Sequence, residues 1–155
     1  MATYHSLTVP PVKAAGESNE TVLLRKTEAT ESNPQFRKVV QAMDDPDLLE
    51  KTKIMYLITQ LRLSGYRFER NGAVYDGSKA ASHLLMKYSA VKDRIETAKQ
   101  FIDYVANGSS MSGQPYFILD AGGNRYLSHD VLRNELAELE KRIDEIRKIP
   151  EEGKS

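Results

Sequence analysis

YRFERNGAVYDGSKAASHLLMKY, Tyr66 to Tyr88, decides the fold. YRFER and AVY, two short runs of strand-forming residues, flank Asn71-Gly72. Both central positions of a type I′ turn need positive φ, which Asn and Gly tolerate, so the pair predicts a β-hairpin. Asp76 then ends the second strand and can accept from the amides of a following helix. In that helix Ala80, Ala81, Leu84, Leu85 and Tyr88 form an inward face, and Lys79, Ser82, His83 and Lys87 are expected outward.

Upstream, DDPDLLEKTKIMYLITQLRLSG carries the marks of a capped helix. Asp45 serves as cap, Pro46 fits the first turn where its missing N–H costs nothing, and Asp47 meets the positive end of the dipole. Ile54, Leu57, Ile58 and Leu61 share one face, and Ser64-Gly65 ends the helix. Downstream, a helix from about Lys92 to Ala106 is expected to bury Ile95, Ala98, Phe101, Ile102 and Val105, with Asn107-Gly108 as its αL stop. YFILD and RYL read as strands around a DAGGN turn. Ser128 is expected to cap the last helix, with Leu127 and Leu132 as a hydrophobic staple. Its narrow seam of Leu132, Leu136, Leu139, Ile143 and Ile146 packs on its own domain or, alternatively, on a second copy. On the exposed side, Glu138–Arg142, Lys141–Glu145 and Asp144–Lys148 are spaced for ion pairs. The resulting class is α+β and mainly helical, about four helices with two short β-hairpins forming a small antiparallel sheet.

A chain of 155 residues suits one domain with tails. Residues 1–44 are rich in Thr, Ser, Pro, Glu and Lys and read as a disordered or weakly helical tail, in which Phe36, Val39, Val40 and Met43 are spaced for one short docking helix. Residues 45–149 form the domain, including the C-terminal helix, and 150–155 a second tail. The 22 basic and 22 acidic residues cancel, which argues against a nucleic-acid partner. With no cysteine, thiol chemistry and thiolate metal sites are excluded. No apolar run approaches the roughly 20 residues that cross a bilayer, and none resembles a leader.

The sequence holds no HExxH, GxSxG, GxxxxGK[ST] or GxGxxG signature. Its histidines, His5, His83 and His129, are too dispersed to announce a metal centre, and no cofactor is expected. His83 lies four residues from both Lys79 and Lys87, so the three can converge on an anion. SSMSGQPY, Ser109 to Tyr116, is longer than a tight turn requires. It can serve as joinery between helix and strand, or Ser109, Ser110, Ser112 and Gly113 can form a nest of N–H groups for an anion. A serine nucleophile here would need His83 as base, oriented by Asp103 or Glu96.

Arg70-Asn71-Gly72, His83-Leu84, Lys87, the TAxQFI of Thr97 to Ile102 and the SSxSGxPY of Ser109 to Tyr116 together resemble the YfeK-like family, small bacterial proteins grouped as a domain of unknown function. The resemblance covers residues 48 to 136. It implies export to the bacterial envelope: a periplasmic location where a leader has been removed, a cytoplasmic one otherwise. Gly77 stands where the resemblance leads one to expect a cysteine.

The function expected is therefore a non-catalytic binding or interaction module. Its polar surface would comprise Arg70, Asn71, His83, Lys87, Ser109, Ser110, Ser112, Gly113 and Tyr116, for a protein, peptide or small anionic ligand. A small hydrolase or transferase using His83 with a loop serine is the alternative, and a self-associating adaptor built on the C-terminal helix is another.

Overall fold

Residues 11–15, 22–24 and 31–149 are described by the computed structural model of the chain. The expectations for His5 and for residues 150–155 fall outside them. In chain order the elements are β1 (Val12–Lys13), α1 (Pro34–Gln41), α2 (Pro46–Leu63), β2 (Arg67–Arg70), β3 (Ala73–Asp76) and α3 (Gly77–Val91). There follow a 3-10 turn (Lys92–Arg94), α4 (Ala98–Gln100) running into a π-helical turn (Phe101–Val105), β4 (Phe117–Leu119), β5 (Arg125–Leu127) and α5 (Ser128–Arg147).

The hairpin forms where the sequence puts it. Asn71 (φ 50°) and Gly72 (φ 78°) take the left-handed region, and Arg70 pairs with Ala73. Asp45 accepts from the Leu48 amide at 3.2 Å and Asp76 from the Lys79 amide at 2.8 Å, so both expected caps hold their helices.

The sheet departs from the expectation of two antiparallel hairpins. β2 pairs antiparallel with β4, which fuses the hairpins into one sheet, and β1 adds a parallel strand, giving a mixed order β1-β5-β4-β2-β3. Val12–Lys13 lies in the stretch read as a tail, where two residues are too few to show a period. Phe68, Ile118 and Tyr126 stand in register across β2, β4 and β5, and all three are buried. That row is the sheet's contribution to the core.

Helix α2 is the centre of the helical layer. Tyr56 to Leu61 are buried without a break, where the sequence suggests a single face, because α1, α3 and α5 all pack against it. Phe36 and Val39 of α1 are fully buried, so the short helix read in the N-terminal stretch does dock.

Three local expectations need correction. The helix expected from Lys92 begins at Ala98. Ile95 is extended, Thr97 Oγ1 accepts from the Gln100 amide at 3.1 Å, and Glu50 of α2 accepts from the Ala98 amide at 3.2 Å. Ser128 is the first residue of α5 rather than its cap, because its N–H donates to the Tyr116 carbonyl at 2.9 Å and continues the strand contact. Leu85, expected inward, is 40% exposed. On α5, Leu132, Leu136, Leu139 and Ile143 are buried in the chain's own core, so the seam considered for a second copy is already filled. Arg142 pairs with Glu145 at 3.2 Å, three residues on rather than four back.

Candidate functional site

The N-terminal half of α3 lies behind the hairpin, and β4 runs beside β2, so the same helix face that carries Lys79, His83 and Lys87 is partly covered. His83 and Lys87 are half-buried, not outward as expected, and Lys79 remains exposed. The covering side chains are Arg70, from the last position of β2, and Tyr116, from the start of the β4 segment.

Arg70 Nη1 lies 2.8 Å from Nδ1 and 2.9 Å from Nε2 of His83. One donor nearly equidistant from both ring nitrogens stands over the face of the ring, a contact that suits a neutral imidazole. The His83 Nε2 is 3.2 Å from the Tyr116 hydroxyl, and Lys87 Nζ donates to that hydroxyl at 3.0 Å. Burial lowers the His83 pKa from its ordinary value, and the charges of Arg70 and Lys87 lower it further. Burial and Arg70 likewise lower that of Lys87. Burial raises that of Tyr116, with Arg70 opposing.

The cations here differ in what they are free to do. Lys87 Nζ donates to the carbonyls of Val105 and Gly108, both at 2.8 Å, as well as to Tyr116. It therefore ties the end of the π-helical turn to α3. Arg70 and Lys79 instead flank the Tyr75 ring, at 5.3 Å and 5.8 Å from its centroid. Among the described residues, Arg70, Lys79 and Lys87 form no ion pair with a carboxylate. Glu69, the acidic residue nearest to them in the lining, is bound to Arg125 at 2.6 Å. Beside this group opens a cavity of about 160 Å³ whose apolar walls are Leu61, Phe68, Ala80 and Leu84.

The 109–116 loop closes on itself. The amides of Ser109 and Tyr116 donate to the carbonyls of Gln114 and Asn107 (2.8 and 3.1 Å), and that of Gly113 to the carbonyl of Ser109 (2.9 Å). Those of Ser112 and Gln114 go to the Oγ of Ser109 and Ser112. Of the four residues expected to form a nest of N–H groups, Ser109, Ser112 and Gly113 therefore spend their amides inside the loop. Gly108 is required here, since a Cβ would come within 2.6 Å of the Gln114 carbonyl. Asn71 at the hairpin tip receives the Ser112 hydroxyl at 2.5 Å and reaches Ser109 Oγ at 3.4 Å, docking the loop on the hairpin. Ser110 is exposed on its outer side.

The sites read from the sequence therefore fall into two adjoining groups. Arg70, His83, Lys87 and Tyr116 form the charged one, and Asn71, Ser109, Ser112 and Gly113 form its support. The serines meet Asn71, whereas His83 meets Tyr116 and Arg70. Neither Asp103 nor Glu96 orients His83: Asp103 accepts from His129 at 2.9 Å and Arg133 at 3.2 Å, and the Glu96 amide is held by Gln100. Tyr75 was missed, although an aromatic three residues beyond Gly72 faces the same side as Arg70 before the turn. At Gly77 a Cβ would approach the Leu61 carbonyl to 2.6 Å, so the close fit of α3 on α2 explains why no cysteine stands there.

Residues 49–140 match a family described as "Family of unknown function (DUF5329)". The chain is similar to "Uncharacterized protein YfeK" of Salmonella typhimurium, with 49% identity over 49 residues, 32% of this chain and 41% of that protein. It thus spans about two-fifths of the length of the curated relative it matches. No solved structure matches. With more than half of its residues matched, among them the hairpin, α3 and the loop that build the charged pocket, the chain belongs to the DUF5329 family.

Proposed function

We propose that the protein is a non-catalytic binding module that takes a small anion in the pocket between the hairpin and α3. One observation carries the reading: Arg70 stands over His83 and, with Lys79, flanks the Tyr75 ring, with no carboxylate paired to either cation among the described residues, at the edge of an apolar cavity. A half-buried guanidinium without a counter-charge, as at Arg70, is costly, and an entering anion relieves that cost. Arg70 offers the planar fork that an oxyanion accepts, and Lys79 adds charge at the rim. Tyr116 and Lys87 hold His83 from behind.

The hydrolase alternative needs a serine hydroxyl within about 3 Å of the imidazole. The hydroxyl beside His83 is that of Tyr116, and Ser109 and Ser112 turn to Asn71. The adaptor alternative needs a free seam on α5, where Leu132, Leu136, Leu139 and Ile143 are buried in the chain's own core and Ile146 is partly so. The compartment we propose with the binding role is the bacterial envelope, from the family resemblance. Recovery of the native protein in the osmotic-shock fraction of its host supports that location, and recovery with cytoplasmic markers removes it.

Acetate titrated into the full chain, followed at the His83 ring protons by NMR, tests the binding role. The expected result is a saturable shift that weakens with ionic strength and is lost in Arg70→Met. A wild-type protein whose His83 signals do not respond overturns the reading.

A further inference from the structure

Resting on that reading, we infer that the anion is a small aromatic monocarboxylate, its ring seated in the apolar cavity and its carboxylate on Arg70. The cavity measures about 160 Å³, close to the engineered cavities of about 150 Å³ that accept benzene. Leu61, Phe68 and Leu84 are each at least nine-tenths buried and offer a ring an apolar surface. Phe68, Tyr75 and Tyr116 add aromatic walls, which favour offset or edge-to-face contacts with a ring.

The charge pattern selects a monoanion over a phosphate. Asp76 accepts from the Lys79 amide at 2.8 Å, so the start of α3 already carries a carboxylate and leaves that amide closed to a phosphate. Glu69, on the cavity wall, adds a second negative group, offset by Arg125. What remains for a ligand is the guanidinium of Arg70, with the ammonium of Lys79 beyond it. A carboxylate matches the fork of the first in geometry and in charge.

The experiment compares benzoate, acetate and inorganic phosphate on the full chain at one ionic strength, by NMR titration. Benzoate is expected to bind roughly 10- to 100-fold more tightly than acetate, the gain from burying a ring, and more tightly than phosphate. Equal affinities for benzoate and acetate would sink the aromatic assignment and leave the anion site standing. Phosphate binding tightest would replace the carboxylate by a phosphoryl group. No binding of any of the three would remove both readings. Ala80→Leu, which fills the cavity, is expected to bring the benzoate-to-acetate ratio close to one. A ratio unchanged in a folded Ala80→Leu protein overturns the inference, and should that variant not fold, the wild-type ratio alone decides.

Discussion

Two half-buried histidines, each beside an arginine, stand in opposite electrostatic settings. His129 at the start of α5 meets Asp103 at 2.9 Å and Asp130 at 3.3 Å, while Arg133 meets Asp103 at 3.2 Å. Burial pushes the Asp103 pKa up, but the hydrogen bond from His129 and the charge of Arg133 outweigh it and hold the carboxylate below its ordinary range. The cluster is closed, and it ties the π-helical turn to α5. Around His83 the neighbours are Arg70, Lys87 and a phenol, and no carboxylate answers them. The same residue types therefore make a structural tie where the charges cancel and, on the binding role proposed above, a ligand site where they accumulate.

The largest expected effect separates the fixed cation from the open one. Lys87→Met removes three hydrogen bonds from an ammonium and leaves the Val105 and Gly108 carbonyls without that donor. The expected loss is about 2–3 kcal/mol of stability, read from the urea midpoint. A loss below about 0.5 kcal/mol would put Lys87 on the ligand side with Arg70, since surface changes usually fall in that range. Tyr116→Phe then removes only the hydroxyl that links His83 to Lys87, with an expected cost of about 1 kcal/mol and a His83 resonance that shifts. A stable variant with His83 undisturbed would show that the two groups do not communicate through the phenol.

At the closed cluster, Asp103→Asn is expected to cost about 0.5–1 kcal/mol at neutral pH, because its partners are partly solvated. The sign of the pH dependence follows from the lowered carboxylate pKa. Its contribution is present above the unfolded value of about 3.9 and is lost as pH falls through the folded one. The wild-type advantage over the variant should therefore shrink below about pH 4. An advantage that stays constant into acid would mean that packing, and not charge, distinguishes this cluster.

What the sequence made legible was local. Asp45 and Asp76 hold amides three residues on, Asn71-Gly72 take the left-handed turn, and all behave as their residue types require. Long-range contacts were hidden. Asn134 Nδ2 donates to the carbonyls of Ala15 at 3.2 Å and Val22 at 3.1 Å, and Glu135 accepts from the Leu24 amide at 2.5 Å. These bonds from α5 hold segments that composition alone assigns to a tail. The site was half legible for the same reason. Spacing of four put His83 and Lys87 on one side of α3, but which of them a ligand can reach depends on where Val105, Gly108 and Tyr116 arrive from more than 15 residues away. The loop serines drew attention by composition, and their hydrogen bonds turn out to serve Asn71.

The smallest effect is the most direct test of the contrast. Because the folded His83 has a lowered pKa, the unfolded chain takes up the proton first. Stability is then full above the unfolded value of about 6.5 and falls as pH drops through it, levelling below the folded pKa. Arg70→Met removes one of the two charges that lower it, so the NMR midpoint of His83 should move up toward the ordinary value and the acid slope of stability should flatten. A bound carboxylate should move the wild-type midpoint the same way, because it supplies the negative charge that His129 already has from Asp103. If neither Arg70→Met nor benzoate moves the midpoint, burial alone keeps the imidazole neutral, and the charges around His83 are not what would make it a site.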